Sequence, residues 1–153
     1  MSADDGFSPA FVDTNILVYA IAGDDPKRSA VAADLLRKVM RSRTLRTSTQ
    51  VLQELFVTLT RKGAAPMDPK AALRYIDQIA AWPVCVTDFH AVRRAIELSI
   101  SATLSFWDAL IVVAAAGSGA AQLYSEDLPH GHVVLGVRIV NPFRAAGPIS
   151  RVR

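Results

Sequence analysis

The sequence predicts an α/β fold in which a parallel β-sheet is covered by helices on both faces. Three observations carry this expectation. Five short apolar segments, at residues 10–13, 44–47, 84–87, 121–124 and 137–140, have the length and the bounding residues of strands. Stretches with helical spacing and helix-capping residues separate nearly all of them, the pattern of parallel strands joined by right-handed crossovers. Finally, four acidic residues far apart in the chain, Asp13, Glu54, Asp108 and Asp127, each fall where a strand ends or a helix begins.

The first strand runs through Ala10-Phe11-Val12-Asp13 and enters a helix at the polar corner Asp13-Thr14-Asn15. Asp25-Pro26 then supplies an N-cap and a first-turn proline for a helix over 27–40, with Val31, Leu35, Leu36 and Val39 as its apolar stripe. After the second strand, Ser48 or Thr49 caps a helix carrying Val51, Leu52, Leu55, Phe56 and Leu59 that ends near Arg61-Lys62-Gly63. Residues 63–67 form a loop, and Asp68-Pro69 repeats the capping device before a helix with Leu73, Ile76 and Ile79. Asp88 caps a helix over 89–100 and Ser105 another over 106–116. Gly117, Gly119, Gly131 and Gly136 punctuate the last third around the strand 121–124, which closes on Ser125-Glu126-Asp127, and the strand 137–140. One step is demanding. Two helices separate the third and fourth strands, and a tight antiparallel hairpin would carry Asp108 to the wrong end of the sheet. The first of the two must therefore lie obliquely.

A chain of 153 residues, 51% of them hydrophobic, is long enough to bury a core as one domain over 1–153, with a short polar tail at 1–8 and a basic tail at 144–153. The single cysteine, Cys85, sits in Val84-Cys85-Val86 and reads as a reduced, buried thiol, which excludes a disulfide framework. The N-terminus is acidic and lacks a basic region followed by an apolar one, so no secretory signal is expected. The longest apolar stretch, 109–117, falls short of the roughly 20 residues that span a bilayer. A cytoplasmic protein with no membrane partner is expected. The net charge of +3 is compatible with nucleic acid but does not demand it. Arg37, Lys38, Arg41, Arg43 and Arg46 form the densest basic stretch, and Arg144, Arg151 and Arg153 a second; a solvated helix end and tail account for them better than a phosphate-binding surface.

In an open parallel sheet, ligands gather outside the carboxyl ends of the strands, where loops and helix N-termini converge. Carboxylates brought together there need a cation. Two of them about 4 Å apart repel by roughly 4 kcal/mol at an effective dielectric of about 20, so three or four are tolerated only when protonated or neutralised by metal. Oxygen ligands suit Mg²⁺ or Mn²⁺ rather than zinc. Each acid also has a structural alternative. Asp13 can simply cap the following helix, Asp108 stands at capping-box spacing from Ser105, Asp127 can be a turn residue, and Glu54 a solvated helix residue. Their joint placement favours a site.

The segments Phe11-Val12-Asp13-Thr14-Asn15-Ile16-Leu17, Gln53-Glu54-Leu55, Phe106-Trp107-Asp108-Ala109-Leu110-Ile111 and Tyr124-Ser125-Glu126-Asp127-Leu128 resemble the successive acidic motifs of PIN-domain ribonucleases. The resemblance is closest to the VapC toxin component of bacterial VapBC toxin–antitoxin pairs. The ending Val137-Arg138-Ile139-Val140-Asn141-Pro142-Phe143 is similar to that subfamily's last strand and tail, so the resemblance spans residues 10 to 143. It implies a single three-layer α/β/α domain around a parallel sheet of four or five strands, often a homodimer. It also implies an Mg²⁺- or Mn²⁺-dependent endoribonuclease with a cognate antitoxin as partner and RNA as substrate. Carried over, Asp13, Glu54 and Asp108 are the core metal ligands and Asp127 the fourth acid. Asn15 helps hold the first acid, and Ser125 is a hydroxyl at the same edge. Glu126 takes the place of Asp127 if the turn differs by one residue.

The chemistry also fits the residues on their own. A metal lowers the pKa of bound water and stabilises the oxygens of a phosphodiester, so no side-chain nucleophile is required. The chain offers no Ser-His-Asp pattern, and His90, His130 and His132 are poorly spaced for a metal triad and read as surface residues, although His130 and His132 could reach substrate from the loop after Asp127. A receiver-like phosphoacceptor would use Asp13, Asp88 and Ser125, but it needs a lysine where Val140-Asn141-Pro142 stands and leaves Glu54 and Asp108 without roles. A dehalogenase-type phosphatase needs an aspartate where Asn15 is. A catalytically inactive PIN-like module binding RNA or protein is the remaining alternative, and the intact acids argue against it. Trp82, Phe106 and Trp107 are candidate apolar contacts for an antitoxin, although each reads better as a core residue.

Overall fold

Ala10–Val12 form β1, and all three residues are buried, as expected of an apolar run with a strand on each side and a helical layer on each face. The computed structural model describes residues 8–61, 63 and 65–144; the tail at 1–8 apart from its last residue, the tail at 144–153 beyond Arg144, and Lys62 lie outside them. After β1 come α1 (Thr14–Ile21), α2 (Pro26–Arg41), β2 (Leu45–Ser48), α3 (Thr49–Arg61) and α4 (Pro69–Ala80). These are followed by β3 (Val84–Cys85), α5 (Phe89–Ser101), α6 (Phe106–Gly117), β4 (Gln122–Tyr124), β5 (Val133–Val134) and β6 (Val137–Val140). The strand order is β3-β2-β1-β4-β6-β5. All pairings are parallel except β5 with β6.

This order positions the site. From β1 to β2 to β3 the chain steps in one direction across the sheet, and it then returns past β1 to β4. Right-handed crossovers place α1 to α4 on one face and α5 and α6 on the other. Contacts agree: α1 packs on α2 and α3, and α3 on α4, whereas α6 lies against β2, β4 and β6. The direction reverses between β1 and β4, and at such a switch point the connections leaving neighbouring strands diverge and open a crevice at their carboxyl ends. Asp13 follows β1 and Asp127 follows β4.

The main core gathers Phe11, Ile16, Leu17, Leu45, Val51, Leu55, Ile79, Val112, Leu123 and Ile139, all wholly buried. Tyr75 of α4 ties this layer together by donating from its phenol to the Leu17 carbonyl of α1 at 2.9 Å. A smaller cluster of Ala95, Ala109, Leu110 and Val113 joins α5 to α6. Thr87, just before α5, donates its N–H to Thr49 at the start of α3, and the Trp107 carbonyl at the start of α6 accepts from Gln50 of α3. Thus α5 leaves the carboxyl edge and hands the chain back to it, the oblique course that Asp108 requires.

Each capping residue named from the sequence caps its helix. Asp25, Asp68, Asp88 and Ser105 accept N–H bonds from the first turns of α2, α4, α5 and α6, and Ser48 rather than Thr49 accepts from the first turn of α3. The apolar stripes shift in three places. Val31, Phe56 and Leu73 are exposed, at 39%, 40% and 54%. The buried faces run through Ala32, Leu36 and Val39, through Val51, Leu55 and Leu59, and through Ala72 and Ile79: alanines complete the 3.6-residue period in α2 and α4, and in α3 Leu55 and Leu59 complete it without Phe56. Cys85 is half-buried rather than buried, and desolvation, with the nearby Asp88 charge, raises its thiol pKa.

The sheet gains one strand over the five expected. β5 pairs antiparallel with β6 through the two-residue turn Leu135-Gly136, whose φ values of 50° and 77° are both left-handed. That hairpin geometry usually recruits Asn-Gly, and a leucine in its first position hides it from sequence reading. The basic residues Arg37, Lys38, Arg41 and Arg43 follow α2 down to the start of β2, hence to the amino edge of the sheet, opposite the acids. Arg37 is paired with Asp34. No helix among the described residues is long and apolar enough to cross a membrane.

Candidate active site

Asp13 ends β1 and caps α1, with Oδ1 accepting the Thr14 N–H at 2.7 Å. The capping role is real, and it occupies one oxygen. Oδ2 accepts from the Ser125 hydroxyl at 2.8 Å, and Ser125 Oγ in turn accepts the Asp127 N–H at 3.2 Å. Ser125 is wholly buried and Asp13 is 7% exposed. Burial pushes the Asp13 carboxyl up to about 6; the bonds from Ser125 and Thr14 oppose this, while the charges of Glu54 and Asp127 add to it.

Glu54 projects from the second turn of α3, where the Thr14 hydroxyl donates to Oε2 and the Gln50 amide to Oε1, both at 3.0 Å. Asp108 stands in the first turn of α6, where its N–H donates to Ser105 Oγ at 3.1 Å. The reciprocal half of the capping box is absent: among the described residues no hydrogen bond forms to the Asp108 carboxylate. Asp127 Oδ2 accepts from the Asn15 amide at 3.0 Å. Asn15 therefore touches the fourth acid rather than the first, because two residues along α1 rotate it by about half a turn from the cap; its Oδ1 also meets the Glu126 N–H at 3.4 Å.

The neighbouring acids separate. Glu126 turns away and pairs with Arg28 Nε at 2.9 Å, while the Arg28 guanidinium also meets Asp25 and lies over the rings of Tyr19 and Phe143. Asp13, Glu54, Asp108 and Asp127 together line one cavity of about 80 Å³, with Thr14, Asn15, Gln50, Trp107 and Ile111. Glu126 does not. Beside it, Thr14, Asn15, Glu54 and Asp127 also border a groove of about 620 Å³ between α1 and α3, whose other walls include Val18, Tyr19, Gln53 and Val57.

The carboxylates stand apart, most of them turned onto neutral donors, and among the described residues no three acidic, cysteine or histidine side chains close to the spacing that would ligate one cation directly. His90, His130 and His132 are exposed and line neither cavity. Trp107 is 63% exposed at the cavity rim, so it belongs to no core, whereas Trp82 and Phe106 pack partly buried against core clusters. Thr14 and Gln50 escaped sequence reasoning. Gln50 precedes Glu54 by four residues and so shares its helix face, a signal too common to single it out.

A doubly covered parallel sheet with acids from four separate segments at its switch point defines an α/β/α domain with an acidic centre. The profile of the PIN domain matches residues 10–130, and the chain belongs to the PIN domain family. Solved structures share the fold. VapC20 of Mycobacterium tuberculosis, a sarcin–ricin-loop-cleaving toxin, superposes with a TM-score of 0.55 at 21% identity, over 77% of this chain and 89% of its own. The DNA-bound VapBC of Salmonella typhimurium superposes with a TM-score of 0.59 at 19% identity, over 86% of this chain and 96% of its own. No curated protein matches the sequence.

Proposed function

We propose that the chain is a metal-dependent endoribonuclease that hydrolyses RNA phosphodiester bonds and acts as the toxin of a type II toxin–antitoxin pair. The observation that carries this reading is the cavity into which β1, α3, α6 and the end of β4 each bring one acid. Its donors are all oxygen, the set that Mg²⁺ or Mn²⁺ prefers. Mg²⁺ commonly takes one or two carboxylates and keeps several waters, so acids spaced more widely than a closed cage fit it. The burial of Asp13 with its carboxyl pushed up to about 6 is a second mark of fit, since a nearby cation offsets that penalty.

Asp13, Glu54 and Asp108 would hold the cation, with Asp127 as the fourth acid. When bound, it supplies Lewis acidity toward the phosphate and lowers the pKa of water. The chain's own residues orient the acids: Ser125 and Thr14 fix Asp13, Thr14 and Gln50 fix Glu54, and Asn15 fixes Asp127. Among the described residues the lining offers no serine, cysteine, histidine or lysine as a nucleophile, and the Thr14 hydroxyl is committed to Glu54. The groove between α1 and α3 gives a polymer access to the acids.

Family membership and the fold shared with VapC20 and with a VapBC complex support the toxin reading and a cognate antitoxin. A homodimer belongs to the same reading, supported by the exposed apolar side chains Phe89, Ile96 and Ile100 of α5. The test is induction of wild type and Asp13→Asn at matched abundance in a bacterial host without the antitoxin, following growth and total RNA. Arrest with discrete RNA fragments for wild type alone is expected. Arrest by both proteins would show binding or titration of a partner instead.

A further inference from the structure

Gln50 lies in the first turn of α3, is 5% exposed and lines the acid cavity. Its Nε2 donates to Glu54 Oε1 at 3.0 Å and to the Trp107 carbonyl at 3.3 Å. Both neighbours are acceptors, so the orientation of the amide is determined: the nitrogen must face them and the oxygen must face elsewhere. That oxygen is buried with no hydrogen-bond partner. A buried acceptor left without a donor is costly and uncommon in a folded protein. Of the two such side-chain atoms among the described residues, Thr47 Oγ1 and Gln50 Oε1, only the second belongs to a residue lining the cavity.

We propose that Gln50 is a positioning residue for the divalent cation, acting through its amide nitrogen. The nitrogen spans α3 and α6, fixing the Glu54 carboxylate against the helix start that carries Asp108. The oxygen, closed to solvent and unpaired, is the cost at which the nitrogen is held between the two helices. A glutamine suits this place because its amide donates both to one acid and to the Trp107 carbonyl without adding a fifth negative charge to the four acids. The inference rests on the metal-dependent reading of the same site.

The experiment is Mn²⁺ binding to the purified full chain, read by calorimetry and by the loss of the free Mn²⁺ spin-resonance signal, for wild type, Asp13→Asn and Gln50→Met. Methionine keeps the length and helix propensity of glutamine and removes both hydrogen-bonding ends. Wild type should bind, Asp13→Asn should not, and Gln50→Met should bind about tenfold more weakly or worse, the loss typical of removing a group that orients a metal ligand. Gln50→Ala, which admits water in place of the amide, carries the same expectation with a smaller loss should the methionine variant not fold. A lowered melting temperature with unchanged Mn²⁺ affinity would assign Gln50 a structural role alone and overturn the inference. If wild type itself bound no Mn²⁺, the metal-dependent reading would fail and take this inference with it.

Discussion

The Ser125 hydroxyl donates to Asp13 Oδ2 at 2.8 Å across 112 residues of chain, with Ser125 wholly buried. This bond ties the end of β4 to the end of β1 at the point where the sheet reverses direction, and it links the first acid to the turn that presents the fourth.

Ser125→Ala removes the donor and leaves Asp13 Oδ2 buried without it. A stability loss of about 1–3 kcal/mol and a fall in RNA cleavage of about tenfold or more are expected, measured by urea unfolding and by single-turnover cleavage. Unchanged cleavage would mean that the bond has no part in aligning Asp13.

Asp13 makes the metal-free protein sensitive to pH. Its carboxyl titrates near 3.8 in an unfolded chain and near 6 in the fold, so the native state binds the extra proton. Stability is unpenalised below 3.8, falls as pH rises toward 6, and above that carries the full cost, about 3 kcal/mol for the shift. Unfolding in the presence of chelator should thus show greater stability at pH 5 than at pH 7. Asp13→Asn, an equally good helix cap, should flatten that difference. The same proton competes with metal, so Mn²⁺ affinity should rise about tenfold per pH unit below 6 and level off above it.

The parallel strands and the helix caps were legible because each uses a strong local signal: β-branched runs, Asp-Pro pairs, and serine or aspartate before an apolar period. The acids were legible because they fall at the carboxyl ends of strands and the starts of helices. Three things were not. β5 is two residues long and turns on Leu135, which carries no hairpin signature. Asn15 reaches Asp127 rather than Asp13 because helix pitch, not sequence proximity, decides its partner. Gln50 acts through the distant start of α6, and no spacing within α3 reports that contact.

Adjacent acids at the end of β4 should behave differently. Asp127 lines the cavity while Glu126 is held by Arg28 in a half-exposed pair, worth at most about 1 kcal/mol to the fold. Asp127→Asn should lower cleavage by about tenfold or more, and Glu126→Gln should leave it near wild type. The reverse order would reassign the fourth acid.

Asp108→Asn should abolish turnover with the melting temperature almost unchanged, since the cap of α6 uses the Asp108 N–H and not its carboxylate. Ser105→Ala should do the opposite, costing about 1 kcal/mol of stability with cleavage largely retained. A folded Asp108→Asn protein that cleaves normally would remove this acid from the site.

The most direct measurement is cleavage of a defined RNA by purified wild type and Asp13→Asn, each with Mg²⁺ or Mn²⁺ and again with excess chelator. Discrete fragments from wild type with metal, and intact RNA in the other three reactions, are the expected result. Equal cleavage with chelator, or by Asp13→Asn, would contradict a metal-dependent ribonuclease centred on these acids.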